Sequence, residues 1–177
     1  MLPRTCFYTE VRGVFLFLEE KWYTLQGMRR IIFLNTLMME RIVMYSDGGS
    51  RGNPGPSALG VFLETLRIRY GEFLGRGTNN EAEYAAILSG MRRALAEIGA
   101  ERAKKTHLEC RMDSELAMKQ LTGRYRVKHP RMKHWFDLIQ NEKANFAEVS
   151  FHHVPREKNK EADKMVNEAL DLAGRRE

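Results

Sequence analysis

Only two cysteines occur in the 177 residues, Cys6 and Cys110, far apart and in neither Cys-x-x-Cys nor His-paired spacing. A disulfide scaffold and a structural zinc site are thereby excluded, and a reducing, cytoplasmic compartment is expected. No apolar run reaches the roughly 18 residues that a membrane span needs, so no membrane association is expected. Arg29-Arg30 followed by Ile31 to Met39 mimics the basic and apolar regions of a signal peptide. It starts too late in the chain, lacks a small-residue cleavage site and runs almost directly into a strand. Repeats and low-complexity tracts are also missing.

What is present is the composition of a folded domain, 43% hydrophobic and 29% charged, with a formal net charge of +6. The excess of base tilts the reading toward a polyanionic partner, because neutralising phosphates releases counterions. The length suits one domain with an extension. Residues 1–38 form that extension, either a translated upstream region or a small packing element, with Val14 to Leu18 readable as a strand or a short buried segment. Residues 39–177 form the main domain.

Within that domain, Ile42-Val43-Met44-Tyr45 has no polar alternation, as in a strand buried on both faces. It delivers Asp47 into Gly48-Gly49-Ser50-Arg51-Gly52-Asn53-Pro54-Gly55-Pro56, which is expected to turn sharply at the strand end. An ionised acid there must be paired, protonated or bound to a cation. Ala58 to Glu64 and Leu66 to Phe73 read as two further strands joined by a hairpin.

Tyr84, Ile87, Leu88, Met91, Leu95 and Ile98 recur at helical spacing, ended by Gly99. Thr78-Asn79-Asn80-Glu81 has the form of a capping box. Glu81 and Glu83 flank the apolar face on opposite sides, so periodicity does not choose between them as site residues. The cap occupies Glu81 and leaves Glu83 without a structural role.

Thr106 to Asp113 is a strand ending in an acid and feeding a short helix, Ser114 to Leu121, the place where open α/β sheets bind ligands. A helix N-cap is the competing role for Asp113. Arg124 to Trp135 contains five Lys or Arg, two His, two aromatics and no acid. It reads as a phosphate-tracking surface, with Tyr125 or Trp135 available to a sugar or base, or else as a solvated loop before a helix with Trp135 in the core. Ala147 to Val154 is a last strand, Pro155 to Lys158 a turn, and Asn159 to Ala173 a last helix ended by Gly174. Asp163 lies in its first turns, beside the buried face.

Four acids, Asp47, Glu83, Asp113 and Asp163, thus stand at element ends. Converging carboxylates repel one another, and burial raises their pKa values unless a cation neutralises them. Hard oxygen ligands suit Mg2+ or Mn2+. Two such ions about 3.5 to 4 Å apart can activate water and stabilise the leaving oxygen of a phosphodiester.

Four segments together resemble the type 1 ribonuclease H family: Asp47-Gly-Gly-Ser-Arg-Gly-Asn-Pro-Gly-Pro, Thr78-Asn-Asn-Glu-Ala-Glu83-Tyr84, Met112-Asp113-Ser114 and Asn159-Lys-Glu-Ala-Asp163. The resemblance covers roughly residues 40 to 174 and is specific as a combination. It implies a three-layer α/β fold with a five-stranded mixed sheet in the order 3-2-1-4-5, flanked by helices. It also implies Mg2+-dependent endonucleolytic cleavage of the RNA strand of an RNA/DNA hybrid, leaving 5′-phosphate and 3′-hydroxyl ends; a role in replication or repair and action as a monomer are expected. Asp47 would bridge two metals, Glu83 and Asp113 would complete their shells, and Asp163 would hold the metal that positions water. Ser50, Asn53, Asn79, Asn80 and Glu115 fall at substrate-facing positions, where contacts to 2′-hydroxyls select RNA as the strand to cut. Arg124 and Lys128 are the expected phosphate contacts.

This chain departs from many bacterial members in two ways. The basic helical protrusion is reduced to the short stretch from Gly123 to Arg131, which implies weaker hybrid affinity. Where a loop His assists, an ungapped count lands on His153 at the end of the last strand, so Arg156 is expected to assist the scissile phosphate instead and His153 to be structural. The rival readings are a non-catalytic nucleic-acid-binding module of the same fold and a related Mg2+ nuclease acting on other duplexes. A missing carboxylate would favour the first, and none is missing.

Overall fold

The computed structural model describes residues 39–175. The expected extension lies outside the described residues. Five strands, β1 (Glu40–Ser50), β2 (Gly55–Leu63), β3 (Ile68–Gly77), β4 (Thr106–Met112) and β5 (Glu148–His153), form one sheet in the order 3-2-1-4-5. β1 pairs antiparallel with β2 and β2 with β3, while β1 and β4, and β4 and β5, run parallel. The helices are α1 (Asn79–Ile98), α2 (Ala100–Ala103), α3 (Glu115–Leu121), α4 (Pro130–Lys143) and α5 (Lys160–Gly174), with a 3-10 turn at Arg156–Lys158. Among the described residues no helix is long and apolar enough to cross a membrane.

The main core lies where α1 covers β1 and β2. Ile42, Met44, Val61, Leu63, Ile87, Met91, Leu108 and Met112 have no exposed surface, and each such side chain contributes about 1.5–3 kcal/mol of burial. A smaller cluster of Ala58, Val166, Ala169 and Leu170 joins α5 to the sheet. Trp135 and Phe136 on α4 are partly buried against the main core.

Two expectations about local structure are corrected, and one competing role falls away. Gly48-Gly49-Ser50 is not a turn: it continues β1 in register with Leu59, Ala58 and Ser57, and the turn begins at Arg51. Asp113 does not cap α3, because Ser114 occupies the N-cap and accepts from the Ala117 N–H. Gly174 is the last residue of α5, and Arg175 caps it.

The reason for the first correction is close packing. A Cβ on Gly48 would lie 2.1 Å from the backbone of Ala82 and Glu83, and one on Gly60 would lie 2.1 Å from the Ala162 carbonyl oxygen. These strand glycines are therefore the seats of α1 and α5, and a turn is not what requires them.

Candidate active site

Each acid reaches the cleft through a distinct piece of this scaffold. β1 is the central strand, and Asp47 sits within it opposite Gly60, 7% exposed. Ser46 pairs with Met112 at the last register position of β4, which sets Asp113 beside Asp47. Thr78 and Glu81 complete the capping box of α1 in both directions, and the bonds from Thr78 hold the Glu81 carboxyl below its usual range. Glu81 is thereby occupied, while Glu83, carried over Gly48, turns to the cleft. Asp163 follows Ala162, the residue seated on Gly60.

One carboxylate oxygen from each of Asp47, Glu83 and Asp113 lies within 4.8 Å of the others. Burial, with the charges of Asp113 and Asp163 behind it, pushes Asp47 up to about 7. Burial, then the charges of Asp47 and Asp113, push Glu83 up to about 9. Glu83 Oε2 is buried with no hydrogen-bond partner, a cost that a cation removes. Hard, crowded oxygen donors with one orphaned atom fit a divalent metal ion, and this cluster can hold one.

Asp163 stands apart from the trio. It lines the same cleft of about 280 Å³, yet its Oδ1 accepts from Arg156 Nη2 at 2.9 Å and its Oδ2 from Asn167 Nδ2 at 3.2 Å. The expected convergence of four acids is thus three plus one, and a guanidinium serves as counter-ion for the fourth. Arg156 lines the cleft. His153 ends β5, is exposed and is not among the cleft residues.

The substrate-facing candidates divide similarly. Ser50 donates from its backbone N–H at 2.7 Å and its hydroxyl at 2.9 Å to Asn79 Oδ1, and both residues line the cleft. Asn79 N–H donates in turn to Asn53 Oδ1 at 3.2 Å. Asn53 and Asn80 line a neighbouring groove with His129 and Arg131. Glu115 is exposed and paired with Lys119 at 2.8 Å. Arg124 and Lys128 are exposed on the segment between α3 and α4 and line neither cavity.

Two residues at the site were given no role by sequence reasoning. Asn167 stands four positions after Asp163, a spacing at which helical side chains meet, so it was findable. Asn159 enters the sequence reading as the start of the last helix and as the first residue of the segment that ends in Asp163, with no role of its own. It is fully buried and bonds to Asp113, and no local pattern announces this.

A family model described as reverse transcriptase-like matches residues 46–169. The chain is 39% identical over 137 residues to ribonuclease HI of Halobacterium salinarum, covering 75% of this chain and 66% of that protein. It is 36% identical over 138 residues to the bifunctional protein Rv2228c of Mycobacterium tuberculosis, covering 75% of this chain and 36% of that protein. It therefore spans about a third of the length of that mycobacterial relative. Among solved structures, LC11-RNase H1 in complex with an RNA/DNA hybrid matches with a TM-score of 0.70 at 39% identity, covering 75% of this chain and 98% of that one. Sheet order, acid cluster and these likenesses agree: the chain belongs to the ribonuclease HI family.

Proposed function

We propose that this chain is a metal-dependent endoribonuclease that cleaves the RNA strand of RNA/DNA hybrids to 5′-phosphate and 3′-hydroxyl products. The observation that carries the reading is the close trio of buried Asp47 and half-buried Glu83 and Asp113, with an unpartnered Glu83 oxygen, in an open cleft. Asp47, Glu83, Asp113 and Asp163 would hold two Mg2+ ions, with Mn2+ as a substitute. Such ions, when bound, supply the charge that activates water and stabilises the leaving oxygen.

The chain's own groups orient the hybrid. Asn79 and Asn53 use their Oδ1 atoms as acceptors within the protein, so their amide N–H groups are left to donate to minor-groove and 2′-hydroxyl acceptors. Ser50, Asn80 and Glu115 flank them as further substrate contacts. Arg156 offers a guanidinium fork to the scissile phosphate once it leaves Asp163. Arg124 and Lys128 contribute charge along the backbone. The catalytic unit is residues 39–177, acting as a monomer in the cytoplasm, and residues 1–38 are dispensable for chemistry.

The test is cleavage of labelled RNA/DNA, RNA/RNA and DNA/DNA duplexes with Mg2+ or Mn2+, beside Asp47→Asn. Cleavage confined to the hybrid and lost in the variant is expected. An inert wild type refutes the activity, cleavage of the other duplexes refutes the specificity, and an unimpaired variant refutes the site. Removing residues 1–38 is expected to leave kcat little changed.

A further inference from the structure

Asn159 has no exposed surface and sits between the 3-10 turn that carries Arg156 and the helix that carries Asp163. Its side-chain Nδ2 is shared between two oxygens, the Ser46 carbonyl of β1 at 3.0 Å and Oδ1 of Asp113, just past β4, at 3.2 Å. Both are acceptors, so only the NH2 side of the amide can face them. Its backbone is engaged as well: its N–H donates to the Arg156 carbonyl at 2.9 Å, and its carbonyl accepts from Asp163 N–H at 3.1 Å. One residue thus touches the strand of Asp47, the carboxylate of Asp113 and the segments of Arg156 and Asp163.

We propose that Asn159 is a positioning residue for the metal-holding carboxylates, an inference that rests on the nuclease reading above. Its amide fixes the rotamer of Asp113 by donating to one oxygen. The same group pins the start of α5 to β1 at Ser46, next to Asp47, which sets the span between Asp163 and Asp47. A neutral donor is the residue type required. A carboxylate here would repel Asp113, and an apolar side chain would leave the buried Ser46 carbonyl without its bond. Outer partners of metal-ligating carboxylates typically govern affinity or activity by about 10- to 100-fold.

The test compares Asn159→Ala, which removes the donor, and Asn159→Ser, which keeps one hydroxyl donor in a smaller void, with the wild-type full chain. Mn2+ affinity by calorimetry, kcat and KM on a hybrid, and Tm are measured for each. Relative to wild type, Mn2+ affinity and kcat are expected to fall by about 10- to 100-fold in Asn159→Ala. KM is expected to hold within about threefold, because orientation of the reacting groups and not hybrid binding is lost. Asn159→Ser is expected to lie between the two, and decides the matter if the alanine variant does not fold. A folded variant with lowered Tm but wild-type Mn2+ affinity and kcat overturns the proposal. Calorimetry does not depend on hydrolysis, so an inert wild type that still binds Mn2+ more tightly than the variants would sink the nuclease reading and spare the positioning role.

Discussion

Asp47 and Asp163 face the same cleft with the same functional group, but the fold treats them differently. Asp47 is built into the central strand, 7% exposed, and shares its crowded pocket with Glu83 and Asp113. Asp163 rides the first turns of α5 with its side chain 31% exposed, already neutralised by Arg156 and steadied by Asn167. Burial and mutual repulsion disfavour charge in the inner trio, and a divalent ion could be held there. In the outer pair Arg156 is the cation. The contrast separates a crowded acidic floor from an ion-paired rim.

The deepest break in that contrast is Glu83→Gln. Removing this carboxylate is expected to lower kcat on a hybrid by on the order of 10³-fold, while raising the stability of the metal-free protein at pH 8 to 9. The sign follows from the folded-state pKa, raised from the usual 4.5 to about 9. The folded state binds the proton more tightly, so stability is lost as pH climbs from about 4.5 to about 9. Glutamine removes that loss, and thermal melts in a chelator across this range would show wild type converging on the variant at low pH. A wild type that melts at the same temperature throughout would contradict the picture.

Gly48→Ala comes next. Its new methyl would meet the Ala82 and Glu83 backbone, so α1 must lift. Overpacking of this kind costs about 1–3 kcal/mol, and the shift of Glu83 is expected to reduce kcat by about 10²-fold. A lowered Tm with unimpaired kcat would show that the glycine serves packing alone.

The rim is expected to behave more mildly. Arg156→Ala removes an exposed side chain, so Tm should move by less than about 2 °C. A single charge-assisted contact to phosphate is worth about 1.5–3 kcal/mol, and kcat should fall by roughly 10- to 100-fold. Arg156→Lys is expected to recover only part of this, lacking the planar fork. Smallest of all, Arg124→Ala and Lys128→Ala should each reduce the slope of log affinity against log salt by about one phosphate contact without changing kcat.

Much of the fold was legible in the order of the elements. The apolar run before Asp47, the helical spacing from Tyr84 to Ile98 and the capping box all correspond to β1, α1 and its N-terminus, and the box correctly separated Glu81 from Glu83. The glycines were misjudged, because Gly-Gly has the same composition whether the chain must turn or a helix must approach. Two short elements, α2 and the 3-10 turn, went unseen as such because three or four residues carry no period. Asn159 escaped because its partners, Ser46 and Asp113, are 113 and 46 positions away.

The sequence by itself determined the strand and helix periods, the supply of acids in the first strand, the first and last helices and the turn after Met112, and the neutral Asn at the start of the last helix. These are set by side-chain chemistry and local spacing, which survive without a fold. Only the tertiary structure decided which acids share a pocket, that Asp163 is answered by Arg156, and that Gly48 and Gly60 are seats for helices. Distance and desolvation are properties of packing, and they set the Asp47 of an ordinary Asp-Gly-Gly among acids that could hold a metal ion.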